Sequence, residues 1–119
     1  MSNSFTFDPV AVVVDWLDAC RLGKLDALLD LYDEQATQDC HCENVTLAGR
    51  KAIASYWAPK LQDRRGPMAF TLDELALMGN SVQVDYRGYQ GNPIRIFVHC
   101  TEAGKILHTS CRPQASWEN

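Results

Sequence analysis

The sequence lacks the features of a membrane-bound, secreted or nucleic-acid-binding protein. Its longest apolar run covers residues 10–14, far short of the ~18 residues that cross a bilayer. Residues 1–10 contain neither the basic nor the apolar region of a secretory signal. The 11 basic residues are scattered and are outnumbered by 15 acidic ones, for a net charge of -4, which disfavours binding to nucleic acid or an anionic membrane. We therefore expect a cytoplasmic protein with neither partner.

Internal repeats and low-complexity segments are also missing, so nothing divides the 119 residues into several units. A chain of this length with 46% hydrophobic residues typically builds one core. We expect a single domain over residues 1–119, in which residues 113–119 form a loose tail and Trp117 is a candidate to dock on the rest of the domain. The five cysteines are an odd number and, without a secretory signal, are interpreted as reduced thiols.

Three helices are predicted in the first half of the chain. Asp8-Pro9 combines a capping carboxylate with proline at the first helical position, and Gly23 is suited to end this helix. Its apolar face consists of Val10, Val13, Val14, Leu17 and Cys20. A shorter second helix has the inner face Leu25, Leu28, Leu29 and Tyr32. A third helix begins after Gly49, and Pro59 is expected to kink it or end its regular part. Its inner face consists of Ile53, Tyr56, Trp57 and Leu61.

The rest of the chain has the residue pattern of a β-sheet. Residues 37–43 form a short predicted strand between the second and third helices. Four strands are then predicted over residues 68–78, 82–89, 94–101 and 106–112, separated by turns that contain glycine. In the first of these four the apolar alternation slips at Asp73-Glu74, which predicts a β-bulge. The prediction is an α+β fold in which a four-stranded antiparallel meander follows three helices.

One face of the strand over residues 94–101 is predicted to lie in the core. That face consists of Ile94, Ile96, Val98 and Cys100. A two-residue turn at Ala103-Gly104 fixes which residues pair across the hairpin. The resulting pairs are Cys100 with Leu107, Val98 with Thr109, Ile96 with Cys111 and, on the outer face, His99 with His108. A shift of one residue would exchange the two faces, so the register decides which side chains reach the interior.

Three segments resemble the nuclear transport factor 2-like superfamily, which includes ketosteroid isomerases and SnoaL-like polyketide cyclases. They cover residues 31–37 (LYDEQAT), 49–53 (GRKAI) and 102–106 (EAGKI). The resemblance implies a cone-like fold, with three N-terminal helices packed in the concave face of a curved antiparallel sheet. It also implies a homodimer formed through the outer face of the sheet, where Phe97 lies among polar residues. The three segments mark the scaffold, and a fold does not by itself fix an activity.

The catalytic residues of the family are not found at the positions that the resemblance implies. The general-base aspartate of ketosteroid isomerases corresponds to Cys40. The tyrosine and aspartate of their oxyanion hole correspond to Trp16 and Ile96. The His/Asp pair of the SnoaL-like cyclases corresponds to Thr109 and Cys111. Enzymatic activity therefore stays an open question, and isomerase, cyclase or hydratase chemistry on a lipophilic substrate would need other residues.

Four cysteines are predicted to face the interior: Cys40, Cys42, Cys100 and Cys111. Cys40 is a candidate reactive thiol, although burial in apolar surroundings raises the pKa of a thiol and weakens it as a nucleophile. The alternative is that all four pack as small apolar side chains. Cys40-x-Cys42 is shorter than the usual gap of about two to four residues in a zinc site, so we expect no metal or other cofactor.

A polar set, Asp39, His41, His99 and His108, is predicted on the outer face of the sheet. The two paired histidines titrate near neutral pH and are candidates for a metal site or a base. The alternative is a solvated surface or a dimer interface. If the strand phase were shifted by one residue, this set would lie inside and become the active site.

The leading functional hypothesis is a pocket for a small apolar molecule. Trp16, Tyr32, Tyr56 and Trp57, assigned to the three helices, would line it for a flat ligand. The inner face of the sheet completes the predicted ligand-binding set with Cys40, Ile96, Val98, Cys100, Thr109 and Cys111. The alternative is a non-catalytic binding or dimerisation module.

Overall fold

The computed structural model describes residues 7–63, 66–79 and 81–114. In this part of the chain it contains three helices and six strands: α1 Pro9–Leu22, α2 Leu25–Asp30, β1 Tyr32–Cys40, β2 Val45–Ala48, α3 Arg50–Gln62, β3 Leu72–Met78, β4 Ser81–Arg87, β5 Pro93–Cys100 and β6 Ile106–Pro113. The predicted α+β class is confirmed. Trp117, the basic pair at residues 64–65 and Asn80 of a predicted turn lie outside the described residues.

The six strands form one sheet in the order β2-β1-β6-β5-β4-β3. The predicted meander is confirmed, because β3, β4, β5 and β6 pair antiparallel in sequence order. The expectation of a wholly antiparallel sheet is wrong at one place, since β1 pairs with β6 in parallel. The chain reaches that position by way of α3 and the meander, which form a long crossover between the two parallel strands.

The first helix begins and ends where its sequence predicts. The Asp8 carboxylate accepts a hydrogen bond from the Val10 N–H at 3.0 Å, and Gly23 ends the helix with a left-handed backbone at φ 68°. The buried face is narrower than predicted, because Val14 is 41% exposed. The apolar residues that do enter the core are Val13, Trp16, Leu17, Ala19 and Cys20. No helix in the described part of the chain is long and apolar enough to cross a membrane.

The boundary between α2 and β1 differs from the prediction. The second helix ends at Asp30, and Tyr32 is the first residue of β1, so Tyr32 belongs to a strand. The strand predicted over residues 37–43 therefore starts earlier, and it ends earlier as well, at Cys40. Cys42 lies in the following turn and is exposed, which corrects its placement inside. The turn reverses the chain at Asn44, with φ 57°, into β2, a strand that the sequence pattern did not indicate.

The third helix continues through Pro59 to Gln62, so the proline does not end it. The Asp63 N–H donates to the Pro59 carbonyl at 3.0 Å, which closes the last turn beyond the proline. Trp57 and Leu61 are buried and hold the helical turns before and after Pro59 against the core. The stabilisation from packing this face outweighs the loss of the one backbone hydrogen bond that proline cannot donate.

The predicted bulge in β3 is confirmed, because its pairing with β4 shifts between Leu72 and Glu74. The strand starts at Leu72, later than the predicted residue 68. The preceding turn holds Phe70 at φ 60°, an uncommon backbone conformation for a bulky residue. The Phe70 N–H donates to the Arg87 carbonyl at 2.7 Å, and the Arg21 guanidinium donates to the Phe70 carbonyl at 2.8 Å. These bonds hold the Phe70 ring in the interior.

The predicted register of the last hairpin is confirmed along most of its length. Ile96 pairs with Cys111, Val98 with Thr109 and His99 with His108. Cys100 instead pairs with Ile106, because the turn is wider than two residues and closes through the Thr101 N–H and the Lys105 carbonyl at 2.7 Å. The inner face of β5 is buried as predicted. At the end of the described residues, Pro113 still belongs to β6 and the Gln114 amide donates to the Ile94 carbonyl at 3.3 Å.

The three segments that carry the family resemblance meet at the start of β1, which we call the β1 joint. The Arg50 guanidinium donates two hydrogen bonds to the Tyr32 carbonyl, at 3.0 and 2.7 Å. The Gly49 N–H donates to the Ala36 carbonyl at 2.7 Å, and the Ile106 N–H donates to the Leu31 carbonyl at 2.7 Å. These bonds bring α3 and β6 to the first residues of β1. The joint therefore sets the position of β1 relative to the meander.

Candidate functional site

Aromatic side chains from α1, α3, β4 and the turn before β3 form one cluster, which is buried except for the partly exposed Tyr56. The ring centroids of Trp16 and Trp57 are 5.6 Å apart, and those of Trp16 and Tyr86 are 5.4 Å apart, both in edge-to-face contact. Phe70 stacks on Tyr86 at 6.3 Å, and Tyr56 contacts Trp57 at 5.3 Å. The sequence predicted the two tryptophans and Tyr56 but missed Tyr86 and Phe70. Tyr86 follows the alternation Val82, Val84 along β4, which is the signal that would have placed it inside.

Tyr32 joins this cluster from β1, not from a helix as predicted. Its side chain is completely buried, and its hydroxyl accepts a hydrogen bond from Trp16 Nε1 at 3.0 Å. Burial raises the pKa of Tyr32, while the Trp16 hydrogen bond and the nearby Trp57 indole act in the opposite direction. Tyr32 is therefore a neutral hydroxyl group in an apolar interior at any pH near neutrality.

Gln38 Oε1 and Thr109 Oγ1 are buried without a hydrogen-bond partner among the described residues. Trp57 Nε1 is also buried without a hydrogen bond of normal geometry, although the indole is close enough to the Tyr32 hydroxyl to lower the pKa of Tyr32. Gln38 and Thr109 are directly paired on the adjacent strands β1 and β6, and both side chains are inside, at 2% and 0% exposure. An unpaired buried polar group costs about 1–3 kcal/mol, so a partner for these atoms is expected. The sequence predicted Thr109 and Trp57 but missed Gln38, which alternates with buried Ala36 and Cys40 along β1.

Cys40 lies at one end of a hydrogen-bonded chain that reaches the surface. Its Sγ is 3.0 Å from the Tyr56 hydroxyl, and that hydroxyl is 3.4 Å from Glu43 Oε2. Lys60 Nζ donates to Glu43 Oε1 at 3.0 Å and lies 3.9 Å from the centre of the Tyr56 ring. Four side chains from β1, the following turn and α3 are thus connected at the rim of the core.

Cys40 and Cys111 influence each other's ionisation. A hydrogen bond from Cys111 lowers the pKa of Cys40 to about 6, with a smaller contribution from the Tyr56 hydroxyl, against burial, which raises it. The pKa of Cys111 is raised because its thiol donates that bond and is itself buried. Cys100 is also buried, which raises its pKa. Cys40, Cys100 and Cys111 therefore lie inside as predicted, whereas Cys42 does not.

The polar set predicted on the outer face has its own partners there. His108 Nδ1 is 2.7 Å from Thr37 Oγ1, and its Nε2 is 3.6 Å from Asp39 Oδ2. His99 Nδ1 is 3.0 Å from Ser81 Oγ. His41 is exposed in the turn after β1. Within the described residues, these side chains do not form a group of three metal-ligating atoms.

The cavities at the surface are separate from most of the predicted ligand-binding set. One of about 220 Å³ opens at the end of β1, where Cys40 is part of its lining. Two larger cavities, of about 410 and 330 Å³, lie beside α1 and α2 and are lined by other residues, such as Lys24 and Ala27. Those two are open surface grooves without the buried polar atoms described above, so we do not assign the chemistry of the interior to them.

The elements and their order define an α+β domain of the nuclear transport factor 2-like class. The chain belongs to the SnoaL-like domain family, whose model matches residues 13–108. This match confirms the family resemblance on which the fold prediction rested. No curated protein matches the sequence closely enough to be counted as a relative.

Solved structures show the same fold at low sequence identity. A SnoaL-like protein of unknown function from Burkholderia thailandensis is 19% identical with a TM-score of 0.76, over 87% of this chain and 92% of that one. A proposed polyketide cyclase from Sinorhizobium meliloti is 15% identical with a TM-score of 0.71, over 89% and 100%. A hypothetical protein with a ketosteroid isomerase-like fold from Catenulispora acidiphila, in complex with trimethylamine, is 18% identical with a TM-score of 0.68, over 88% and 86%. At these identities the likeness extends to the fold and not to the activity.

Proposed function

We propose that the domain binds a small, flat, largely apolar molecule between its helices and the inner, concave face of its sheet. The observation that carries the proposal is the set of buried atoms Gln38 Oε1, Thr109 Oγ1 and Trp57 Nε1, which have no hydrogen bond of normal geometry among the described residues. They are buried in a domain whose core consists of aromatic and aliphatic side chains, and ligand sites typically combine an apolar lining with a few such polar groups.

The donor and acceptor types indicate which polar group the ligand carries. Gln38 Oε1 accepts hydrogen bonds, the Trp57 indole N–H donates them, and the Thr109 hydroxyl does either. A hydroxyl group on the ligand serves both as donor and as acceptor, so an aromatic alcohol suits this set. The proposal concerns binding, because Cys40, Trp16 and Ile96 replace the acid–base residues that the family's isomerases use at the corresponding positions.

The test compares 2-naphthol with naphthalene, which has the same ring system and no hydroxyl. Binding is measured by calorimetry on the wild-type protein and on Gln38→Leu and Thr109→Val. We expect tighter binding of 2-naphthol by the wild type and a loss of about tenfold, or ~1.4 kcal/mol, in each variant. Thr37→Val is the matched control, since Thr37 lies on β1 but bonds to His108 on the outer face.

Two outcomes would contradict the binding proposal. If neither naphthalene nor 2-naphthol binds the wild type, the interior has no accessible site for such a ring. If Gln38→Leu and Thr109→Val raise the free energy of unfolding while 2-naphthol affinity stays unchanged, these atoms are unsatisfied polar groups of the core and do not belong to a ligand site. Native mass spectrometry of the purified wild-type protein independently checks for a retained small molecule.

A second candidate function is homodimerisation through the outer face of the sheet. Phe97 lies on that face with the Arg112 guanidinium 5.5 Å from its ring centre. Met78 of the edge strand β3 is in register with Ser81 and His99 on the same face and is 51% exposed. Apolar side chains grouped in this way favour a protein interface. Sedimentation equilibrium should give a dimer for the wild type and a monomer for Phe97→Glu, while Leu22→Glu on α1 stays dimeric. A monomeric wild type would rule the dimer out.

The cytoplasm remains our proposed location for this protein. All five cysteines are free, as expected for a protein of a reducing compartment. Measuring its distribution with a fluorescent fusion would test this, and secretion into an oxidising compartment would contradict it.

A further inference from the structure

Three cysteine sulfurs meet at the rim of the core. The Sγ atoms of Cys40, Cys42 and Cys111, which we call the thiol triad, all lie within 4.8 Å of one another. Cys40 and Cys111 are paired residues on the adjacent strands β1 and β6. The His41 N–H donates to the Cys111 carbonyl at 2.9 Å, which holds the turn beyond β1 against β6. This turn brings the third sulfur, from Cys42, beside the other two.

We propose that the thiol triad binds one thiophilic metal ion, zinc(II) or copper(I), through three thiolates. A metal–sulfur bond of about 2.3 Å places the sulfurs of a tetrahedral site about 3.8 Å apart. The triad therefore has to contract by at most about 1 Å, which rotation about the Cα–Cβ bonds provides without moving the strands. Thiolate ligands favour such thiophilic ions over magnesium or calcium.

The position of Cys42 is what separates a metal site from ordinary packing. Small apolar packing accounts for Cys40 and Cys111, which are 2% and 7% exposed, but not for the exposed thiol of Cys42. Exposed Cys42 opens the triad to solvent, and Cys40 also lines the cavity of about 220 Å³ at the end of β1. Cys100 provides the contrast, because it is also buried on the inner face and is not part of the triad.

The coordination number distinguishes the two ions. Within the described residues no fourth His, Cys, Asp or Glu side chain joins the triad. Copper(I) is satisfied by three thiolates, whereas zinc(II) prefers four ligands and would take a water molecule in the open position. This inference is independent of the proposed aromatic-alcohol site, so either can fail without the other.

The test titrates the full-length, fully reduced protein under argon with cobalt(II), a spectroscopic substitute for zinc(II), and in a second arm with copper(I) against a coloured copper(I) chelator. We expect one ion per chain. In the cobalt(II) arm, sulfur-to-cobalt charge-transfer bands should appear and zinc(II) should abolish them. In the copper(I) arm, the protein should withdraw copper(I) from the chelator. Cys42→Ala should weaken binding by at least about 100-fold. Because Cys42 is exposed, this variant should keep the wild-type circular dichroism spectrum and melting temperature.

Cys100→Ala is the matched control and should bind the metal as the wild type does. Cobalt bands identify the divalent ion, and retention of copper(I) alone identifies the monovalent one; both results support a three-thiolate site. The proposal is overturned if the wild type binds neither ion or if Cys42→Ala binds as tightly as the wild type. It is also overturned if Cys100→Ala weakens binding as much as Cys42→Ala does.

Discussion

The Arg50 side chain provides the sharpest test of how the β1 joint contributes to stability. Its guanidinium donates two hydrogen bonds to one backbone carbonyl, that of Tyr32. Hydrogen bonds from a charged donor contribute about 1.5–3 kcal/mol, and a carbonyl left without a partner loses further stability. Arg50→Met keeps most of the apolar stem and removes both bonds, so we expect it to lower the free energy of unfolding by about 2–3 kcal/mol.

Urea unfolding at neutral pH, followed by circular dichroism, measures this loss. Arg50→Lys should lose less, about 1 kcal/mol, because an ammonium group replaces one bond of the two. Lys51→Met is the matched control on the exposed neighbouring position of α3 and should stay within about 0.5 kcal/mol of the wild type. A loss below about 1 kcal/mol for Arg50→Met, or one equal to that of Lys51→Met, would refute the role assigned to the joint.

Further predictions concern pH, the turn before β6 and the core. Burial raises the pKa of Tyr32 above its ordinary value of 10.0, so above pH 10 the folded state keeps a proton that the unfolded chain releases. The contribution of Tyr32 to stability should therefore be complete below pH 10 and fall above it, and Tyr32→Phe should reduce the fall in urea midpoints over this range. If Tyr32→Phe leaves the pH dependence of the urea midpoint unchanged, the loss of stability above pH 10 comes from other titrating groups. Gly104 has φ 85°, and a Cβ added there would come within 3.1 Å of Phe7, whereas Gly49 has φ 91° and no atom within reach of an added Cβ. Gly104→Ala should therefore lower the melting temperature more than Gly49→Ala does. Equal effects of the two substitutions would exclude a role for the Phe7 contact. Ile53→Ala, at a completely buried position, should cost about 2–5 kcal/mol in urea unfolding, and a cost below ~1 kcal/mol would mean that the core around it is loosely packed.

Local patterns predicted the meander well because their physical causes are local. The alternation of β5 identified its buried face, and the slip at Asp73-Glu74 identified the bulge in β3. A short turn also fixed the register of Val98 against Thr109. Each of these features depends on residues close in sequence, so composition and spacing are sufficient to find them.

The places where prediction failed depend on contacts between distant residues. Tyr32 fits the helical spacing of α2, but the chain leaves the helix where Arg50, 18 residues away, bonds its carbonyl. Gln38 is a polar side chain that composition assigns to the surface, yet the fold buries it beside Thr109. Cys42 shares the alternation of Cys40 but lies beyond the end of the strand. Apart from the alternation of Gln38 with Ala36 and Cys40 along β1, these contacts leave no pattern in the sequence near the residues concerned.

The β1 joint has a consequence for how proteins of this kind diverge. Its residues hold backbone atoms, so they constrain the path of the chain while leaving open which side chains line the interior. Substitutions at positions such as Gln38, Trp57 or Thr109 do not touch the bonds that make the fold recognisable. The side chains that line the interior can therefore change to suit a new ligand while the β1 joint stays the same. Proteins that resemble this one in the segments of the β1 joint share its architecture, and the ligand of each must be determined by experiment.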